Sequence, residues 1–194
     1  MGRIFCIVGK SASGKDTIYK KIADLNYKRL IFITPYTTRP KRMDEVNGKN
    51  YFFVSKEQLN LYDNEGLVIE KREYLTTKDV WTYFTIKFDV SDNNDYILIT
   101  TLQGAKGIIN YFGEEKVHII YLFLDNKKRL IRCIERESQQ QNPDYLEVCR
   151  RFIADEADFS EDNLKQFKNI HYINTDKNVN KCMYEWEKLY YEKN

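Results

Sequence analysis

The chain has 194 residues, a formal net charge of +2, and a composition of 42% hydrophobic and 31% charged residues. That balance excludes a disordered polar chain and gives no global field for nucleic acid or a membrane surface, while the length suits one domain with a core that needs no disulfide staples. Four scattered cysteines (Cys6, Cys133, Cys149, Cys182) without a C-x-x-C pair predict reduced, mostly buried thiols. No apolar run reaches membrane-spanning length and the first residues carry no signal-peptide core, so a soluble cytoplasmic protein is expected.

Arg3-Ile4-Phe5-Cys6-Ile7-Val8 is a short apolar run of β-formers and predicts a buried strand. Thr17 to Leu25 carries Ile18, Ile22 and Leu25 at helical spacing, predicting one buried face. Between them lies Gly9-Lys10-Ser11-Ala12-Ser13-Gly14-Lys15-Asp16-Thr17. It fits the phosphate-loop pattern G-x-x-x-x-G-K-[ST] through Lys15 and then departs, with Asp16 where the pattern has Ser or Thr. Gly9 and Gly14 let the backbone curl so that successive N–H groups point at phosphate oxygens. The helix N-terminus adds its positive end, and Lys15 supplies a cation for the outer phosphates. A glycine turn capped by Ser or Asp is the plainer alternative.

Leu30 to Thr34 predicts a second strand, ended by Pro35, which cannot donate to a ladder. Arg39, Lys41 and Arg42 then cluster ahead of the turn signal Asn47-Gly48 and the β-like run Tyr51 to Val54. A second anion site and a solvated charge run both fit that pattern. Ser55 and Gln58 form a capping box, and Gly66 to Glu70 reads as a strand ending on a carboxylate. Asp95 to Gly104 is a central strand and turn, and Val117 to Leu124 a fully buried parallel strand. Asp125 or Asn126 caps the next helix, in which Leu130, Ile131 and Ile134 are expected to face inward while Arg129, Arg132 and Arg136 share another face. The polar stretch Ser138 to Pro143 leads into a helix with Val148, Phe152, Ile153 and Ala157 beside Arg150 and Arg151. Ile170 to Asn174 is the last strand, and Cys182, Trp186 and Leu189 or Tyr190 mark a terminal helix. His118 and His171 lie in separate strand-like runs and read as structural.

The segment T-T-R-x-x-R-x-x-E-x-N-G-x-x-Y-x-F-V, from Thr37 to Val54, resembles the monophosphate-binding segment of guanylate kinases, and the resemblance covers nearly the full chain. It implies a three-layer α/β P-loop kinase fold with a parallel sheet core. The implied organisation is a single domain over 1–194, with a core of 1–34, 90–125 and 151–194, an inserted NMP-binding flap at 35–89 and a helical lid at 126–150. It implies that Gly9, Ser11, Ala12, Ser13, Gly14, Lys15, Asp16, Thr17 and Asn174 meet ATP. Arg39, Arg42 and Tyr51 would hold the phosphate of GMP, with Glu45 orienting the arginines or approaching the metal and phosphate region. Glu70 falls at the guanine-binding glutamate. Guanine offers two adjacent donors, N1–H and the 2-amino group, and one carboxylate can accept both; an exposed glutamate at a strand end is the alternative. Tyr83-Phe84-Thr85 stands at the family's Tyr-Gly-Thr or Tyr-Gly-Ser, assigning Tyr83 to the phosphate grip and Thr85 to the base. Arg132, Arg136 and Arg151 fall at lid arginines that neutralise charge on the transferring phosphoryl alongside Lys15 and Arg39. A solvated arginine face is the alternative there.

The chain also departs from the family pattern. Ile99 and Thr101 stand where guanylate kinases usually carry Asp-x-Asp, Pro35 where they tend to place a serine, and Phe84 where they have glycine. The resemblance nonetheless assigns Thr101 to the guanine side. Asp16 is the candidate magnesium ligand, an acid gained at the loop where one is absent at position 99, or else a helix-terminal charge. The implied activity is transfer of the ATP γ-phosphoryl to GMP, giving ADP and GDP, with Mg²⁺ as cofactor. The implied protein binds small-molecule nucleotides, without nucleic acid or membrane, as a monomer or weak homodimer. Two alternatives stay open: a related P-loop kinase acting on ribose 1,5-bisphosphate or another nucleotide, and a non-catalytic guanylate kinase-like binding module.

Overall fold

The computed structural model describes residues 2–42, 45–75 and 79–192; Met43 and Asp44, within the segment from Thr37 to Val54, lie outside them. In chain order the elements are β1 (Ile4–Val8), α1 (Lys15–Asp24), β2 (Leu30–Phe32), β3 (Tyr36–Thr37), β4 (Phe52–Phe53), α2 (Lys56–Asn64), β5 (Val68–Leu75) and β6 (Val80–Ile86). There follow β7 (Asp95–Ile99), α3 (Leu102–Phe112), β8 (Val117–Phe123), α4 (Asn126–Ser138), α5 (Tyr145–Asp158), α6 (Glu161–Leu164), β9 (Ile170–Asn174) and α7 (Val179–Tyr191). A five-stranded sheet has the order β2-β7-β1-β8-β9, and a four-stranded sheet the order β4-β3-β6-β5. This is the α/β architecture expected from the sequence. Each predicted core strand is present, and Pro35 ends the first sheet as anticipated, since β3 belongs to the other one.

The chain packs as two compact units, one comprising residues 1–6 and 29–117, the other residues 7–28 and 118–194. In the first, β2 runs parallel to β7, with Leu30 opposite Asp95 and Phe32 opposite Ile97. The Asp95 carboxylate accepts from the Arg3 amide at 2.9 Å and from its guanidinium at 2.8 Å, pinning the start of β1 to β7. The small sheet is built on the antiparallel pair β5/β6, which sets Glu70 opposite Thr85 and Arg72 opposite Tyr83. Glu70 therefore lies within a strand, not at its end, because β5 continues to Leu75. Glu70 and Arg72 are buried while Lys71 and Glu73 are exposed, the period-2 alternation of a half-buried strand. Ser55 caps α2 by accepting from the Gln58 amide, and Gly48 adopts φ +79° in the turn after Asn47.

Helix α3 lies close against β5 because two of its residues lack a side chain. A Cβ on Gly107 would overlap the Glu70 Cβ, and one on Gly104 would overlap the Thr100 hydroxyl and crowd the Arg72 guanidinium. Thr101 caps this helix, its hydroxyl accepting from the Gly104 amide at 3.1 Å.

In the second unit β8 runs parallel to β9, Ile119 opposite Ile170 and Phe123 opposite Asn174. Ile119, Ile120 and Leu122 are fully buried, each removing apolar area worth about 1.5–3 kcal/mol from water. Cys182, Met183, Trp186 and Tyr190 form the buried stripe of α7. In α1 only Ile18 and Ile22 are buried; Leu25 is half exposed, because the helix ends before it. Three of the four cysteines are buried and Cys149 is exposed. His118 and His171, distant in sequence, meet with Nδ1 and Nε2 3.4 Å apart, and no group of three or more potential metal ligands occurs among the described residues. No helix among them is long and apolar enough to cross a membrane.

The α4/α5 pair corrects the sequence reading. Ile131 and Ile134 are exposed, as are Ile153 and Ala157 on α5, whereas Arg129 is fully buried with Cys133. The reason is electrostatic: Arg129 donates to Asp155 at 3.0 Å and to Glu156 at 2.5 Å, and its guanidinium lies 3.8 Å from the Phe152 ring centroid. A buried guanidinium with two carboxylates occupies the seam that an aliphatic stripe was expected to fill.

The contact between α3 and β5 gives a direct test. Gly107→Ala should lower stability by about 1–3 kcal/mol, because the added methyl meets the Glu70 Cβ, which is held by the strand and is not a flexible side-chain end. The midpoint of urea unfolding reports it.

Candidate active site: a phosphate loop and a buried arginine

In the second unit, residues 9–14 turn sharply between β1 and α1. Ala12 has φ +59° and Gly14 φ +91°, left-handed conformations that aim successive amides to one side. Gly9 is required by space: a Cβ there would sit 2.5 Å from the Leu122 carbonyl oxygen and 2.6 Å from the Ser13 hydroxyl. Ser13 is 1% exposed and its hydroxyl has no hydrogen-bond partner, an orphaned polar atom inside the turn. The Thr175 hydroxyl donates to the Ser13 carbonyl at 2.8 Å and so ties the loop to the end of β9, beside Asn174. Asp16 and Thr17 are exposed in the first turn of α1.

Lys15 folds back over this turn and donates to the carbonyls of Gly9 at 2.7 Å and Lys10 at 3.0 Å. Burial pulls its pKa down to about 8, opposed by Asp16 and Asp155 and reinforced by Arg136 and Arg151. Four predicted residues, Lys15, Asp16, Arg136 and Arg151, thus share one electrostatic neighbourhood. Arg151 Nη2 also lies 3.4 Å from the Ser11 hydroxyl. Arg132 is exposed on α4.

Sequence reasoning missed the acids of this site. Asp155 accepts from the Ser11 amide at 2.7 Å while Arg129 holds its carboxylate, and Glu156 bridges Arg129 and Lys10, the latter at 2.7 Å. Burial would raise the Glu156 pKa, but hydrogen bonds from Lys10 and Asn126 and the charges of Lys10 and Arg129 hold it below the usual carboxylate range. The signal available was the adjacent pair Asp155-Glu156 on a helix next to one carrying arginine.

In the first unit, Arg39 is 4% exposed and its guanidinium is fully directed. Nε donates to the Tyr83 hydroxyl at 3.0 Å, Nη1 to the Pro40 carbonyl at 2.9 Å and Nη2 to Glu45 at 2.6 Å. It lies 5.8 Å from the Tyr51 ring centroid and 5.5 Å from that of Phe53. Burial acts to raise the Glu45 pKa, but the Arg39 hydrogen bond, the Arg42 amide and both arginine charges hold it below the usual range. Arg42 is exposed and gives Glu45 its amide at 2.8 Å. Arg39, Glu45, Tyr51 and Tyr83 therefore come together as the sequence suggested.

Thr85 and Glu70 also meet, the hydroxyl donating to Oε1 at 2.6 Å. Thr101 does not stand open: it caps α3 and accepts from Arg72 Nη1 at 2.9 Å. Arg72 was not singled out from the sequence, although its place two residues after Glu70 puts both on one face of a strand.

A tight glycine-bearing turn that fits the phosphate-loop pattern between a strand and a helix of an α/β fold, beside arginines on α4 and α5, is the mark of the phosphate-loop kinase class. The family profile described as Guanylate kinase matches residues 1–181, and the chain belongs to that family. The guanylate kinase of Malacoplasma penetrans is 28% identical over 143 residues, covering 72% of this chain and 73% of that one. That of Prochlorococcus marinus is 26% identical over 181 residues, covering 88% and 94%. The crystal structure of guanylate kinase from Anaplasma phagocytophilum shares the fold, with a TM-score of 0.65 and 19% identity over 97% of this chain and 84% of that one.

The lowered Lys15 pKa carries a sign. Between about pH 8 and 10.5 the unfolded chain keeps a proton on this lysine that the folded chain has lost, so stability rises with pH through that window. Lys15→Met should remove that rise, seen as a smaller difference between urea midpoints at pH 7.5 and pH 10, while abolishing phosphoryl transfer.

Proposed function

We propose that this chain transfers the γ-phosphoryl group of ATP to GMP, giving ADP and GDP. Family membership supports the reaction class. The single observation that carries the acceptor is Arg39, buried at 4% exposure with its guanidinium fixed by Glu45 and Tyr83. Aligning such a group before ligand arrives lowers the ordering cost of gripping a phosphate. Arg42 and Tyr51 complete the phosphate grip, and Glu70 with Thr85 lies on the base side.

At the loop, the amides of residues 11–17 hold the ATP phosphates and Lys15 leaves the carbonyls of Gly9 and Lys10 to meet the outer ones. Arg132, Arg136 and Arg151 add positive charge as negative charge spreads over the transferring group. Positioning and charge neutralisation suffice for this reaction, with no covalent protein intermediate. Asn174 lies on the adenine side. Retention of Lys15 and both loop glycines speaks against a non-catalytic module. In this reading the protein works in the cytoplasm, as a monomer or weak homodimer.

The family also implies Mg²⁺. Asp16 and Thr17 offer exposed hard oxygen donors at the helix start, which fits a metal held by one carboxylate, nucleotide phosphates and water. Bound there, magnesium would screen the phosphate charges. Asp16 would hold it and also sustain the charge on Lys15.

A coupled assay of ADP release tests the acceptor across GMP, AMP, UMP and ribose 1,5-bisphosphate. Turnover with GMP is expected; turnover confined to a non-guanine acceptor, or with none, contradicts the reading. Asp16→Ala should raise the magnesium concentration needed for half-maximal rate by about tenfold, loss of one carboxylate ligand being worth that order. An unchanged magnesium titration would remove Asp16 from the metal site.

A further inference from the structure

Arg151, Asp155 and Glu156 on α5 converge on the first residues of the phosphate loop. Asp155 Oδ2 accepts from the Ser11 amide at 2.7 Å, Glu156 Oε2 accepts from Lys10 Nζ at 2.7 Å, and Arg151 Nη2 lies 3.4 Å from the Ser11 hydroxyl. Arg151 and Asp155 are one helical turn apart and so share a face of α5. All of these residues belong to the second unit. The contact is shielded, the side chains of Asp155 and Lys10 being 17% and 14% exposed. The Asp155 charge also reaches Lys15, where it opposes the effect of burial on the ammonium. Amides in a turn before a helix are donors for anions. Here an anion of the chain itself holds one of them.

The needs of Arg129 do not explain that contact. Glu156 already gives this buried guanidinium a carboxylate at 2.5 Å, and Phe152 gives it a ring face. Both bonds to Asp155, from the Ser11 amide and from Arg129 Nη1 at 3.0 Å, fall on the single oxygen Oδ2. The carboxylate can therefore release the amide and still be held by the guanidinium.

We infer that Asp155 sets the affinity of this protein for nucleotide, its carboxylate competing with a phosphate oxygen of ATP for the Ser11 amide. This rests on the reading of residues 9–17 as the ATP phosphate loop. A backbone amide carries a single proton and serves one strong acceptor at a time. ATP binds at full strength only to molecules in which Asp155 has let go, and its apparent affinity is lowered by that fraction. A second effect has the same sign, because a carboxylate beside a polyphosphate repels it. As the phosphate departs, Asp155 recovers the amide, which hastens release.

Titration calorimetry of the full chain with ATP and magnesium tests this, without acceptor and at pH 7, below the Lys15 pKa of about 8. Asp155→Asn keeps the shape and an acceptor for Arg129 but removes the charge. It should tighten ATP binding about tenfold or more, chiefly through slower dissociation. It should also lower the urea midpoint, because Arg129 loses one of its two carboxylates. A merely structural role predicts weaker binding together with lower stability, so unchanged or weaker ATP binding by the folded variant would overturn the inference. The wild-type chain decides the same point if the variant does not fold. In a crystal structure with magnesium and a non-hydrolysable ATP analogue, the Ser11 amide should donate to a phosphate oxygen with Asp155 Oδ2 out of hydrogen-bond reach. The Ser11–Asp155 bond intact beside bound analogue would overturn the inference while leaving the phosphate-loop reading in place; no ATP binding by the wild-type chain would remove both.

Discussion

A buried guanidinium demands a carboxylate, and three such pairings set the geometry of this protein. Arg39, Arg72 and Arg129 are 4%, 6% and 0% exposed, and each meets at least one acid: Glu45, Glu70, and Asp155 with Glu156. Removing such a charge from water costs several kcal/mol unless the partner is close and oriented, so these positions tolerate little wandering. The consequence, within each unit taken by itself, is that the charged groups are placed by the protein. Arg39 is aimed by Glu45 and Tyr83, Glu70 is clamped by Thr85 and Arg72, and the phosphate loop is tethered at Ser11 through Asp155.

Each pairing couples a functional group to a secondary element. The hairpin β5/β6 supplies Glu70, Arg72, Tyr83 and Thr85 from directly paired positions, so strand register dictates which side chains can meet. The α4/α5 pair supplies Arg129 and its acids, and the same two helices bear Arg136 and Arg151, whose charges act on Lys15. The glycines of α3 serve a quieter purpose: by lacking side chains, Gly104 and Gly107 let that helix approach the strand bearing Glu70 and Arg72. Packing, register and charge are thus one constraint seen at three levels.

Much of this was legible in the sequence. β1 and β8 are continuous apolar runs, and both are buried strands because nothing else can hide such runs. The phosphate loop showed itself by spacing, whereas the basic segment around Arg39 read as a site only through its resemblance to guanylate kinases, its charge run alone fitting a solvated face. The less legible parts share a cause. Arg129 looked like solvent-facing charge and Ile131 and Ile134 like core, because periodicity weighs hydrophobicity and cannot see that two acids on another helix make a buried arginine affordable. Arg72 was passed over for a related reason: within a strand, a charged residue at the buried alternation only makes sense once Glu70 and the Thr100 and Thr101 hydroxyls are known to be its neighbours. Non-local pairing is what the sequence pattern lacks.

The claim that these guanidiniums are positioned by their carboxylates is tested most directly by a double-mutant cycle on Arg39 and Glu45, read as kcat/KM for GMP. If Glu45 acts by holding Arg39, then Glu45→Gln and Arg39→Met each lower kcat/KM and the double variant is little worse than Arg39→Met alone, a coupling of about 1–3 kcal/mol. Losses that simply add would mean the two side chains act independently, and would contradict the account.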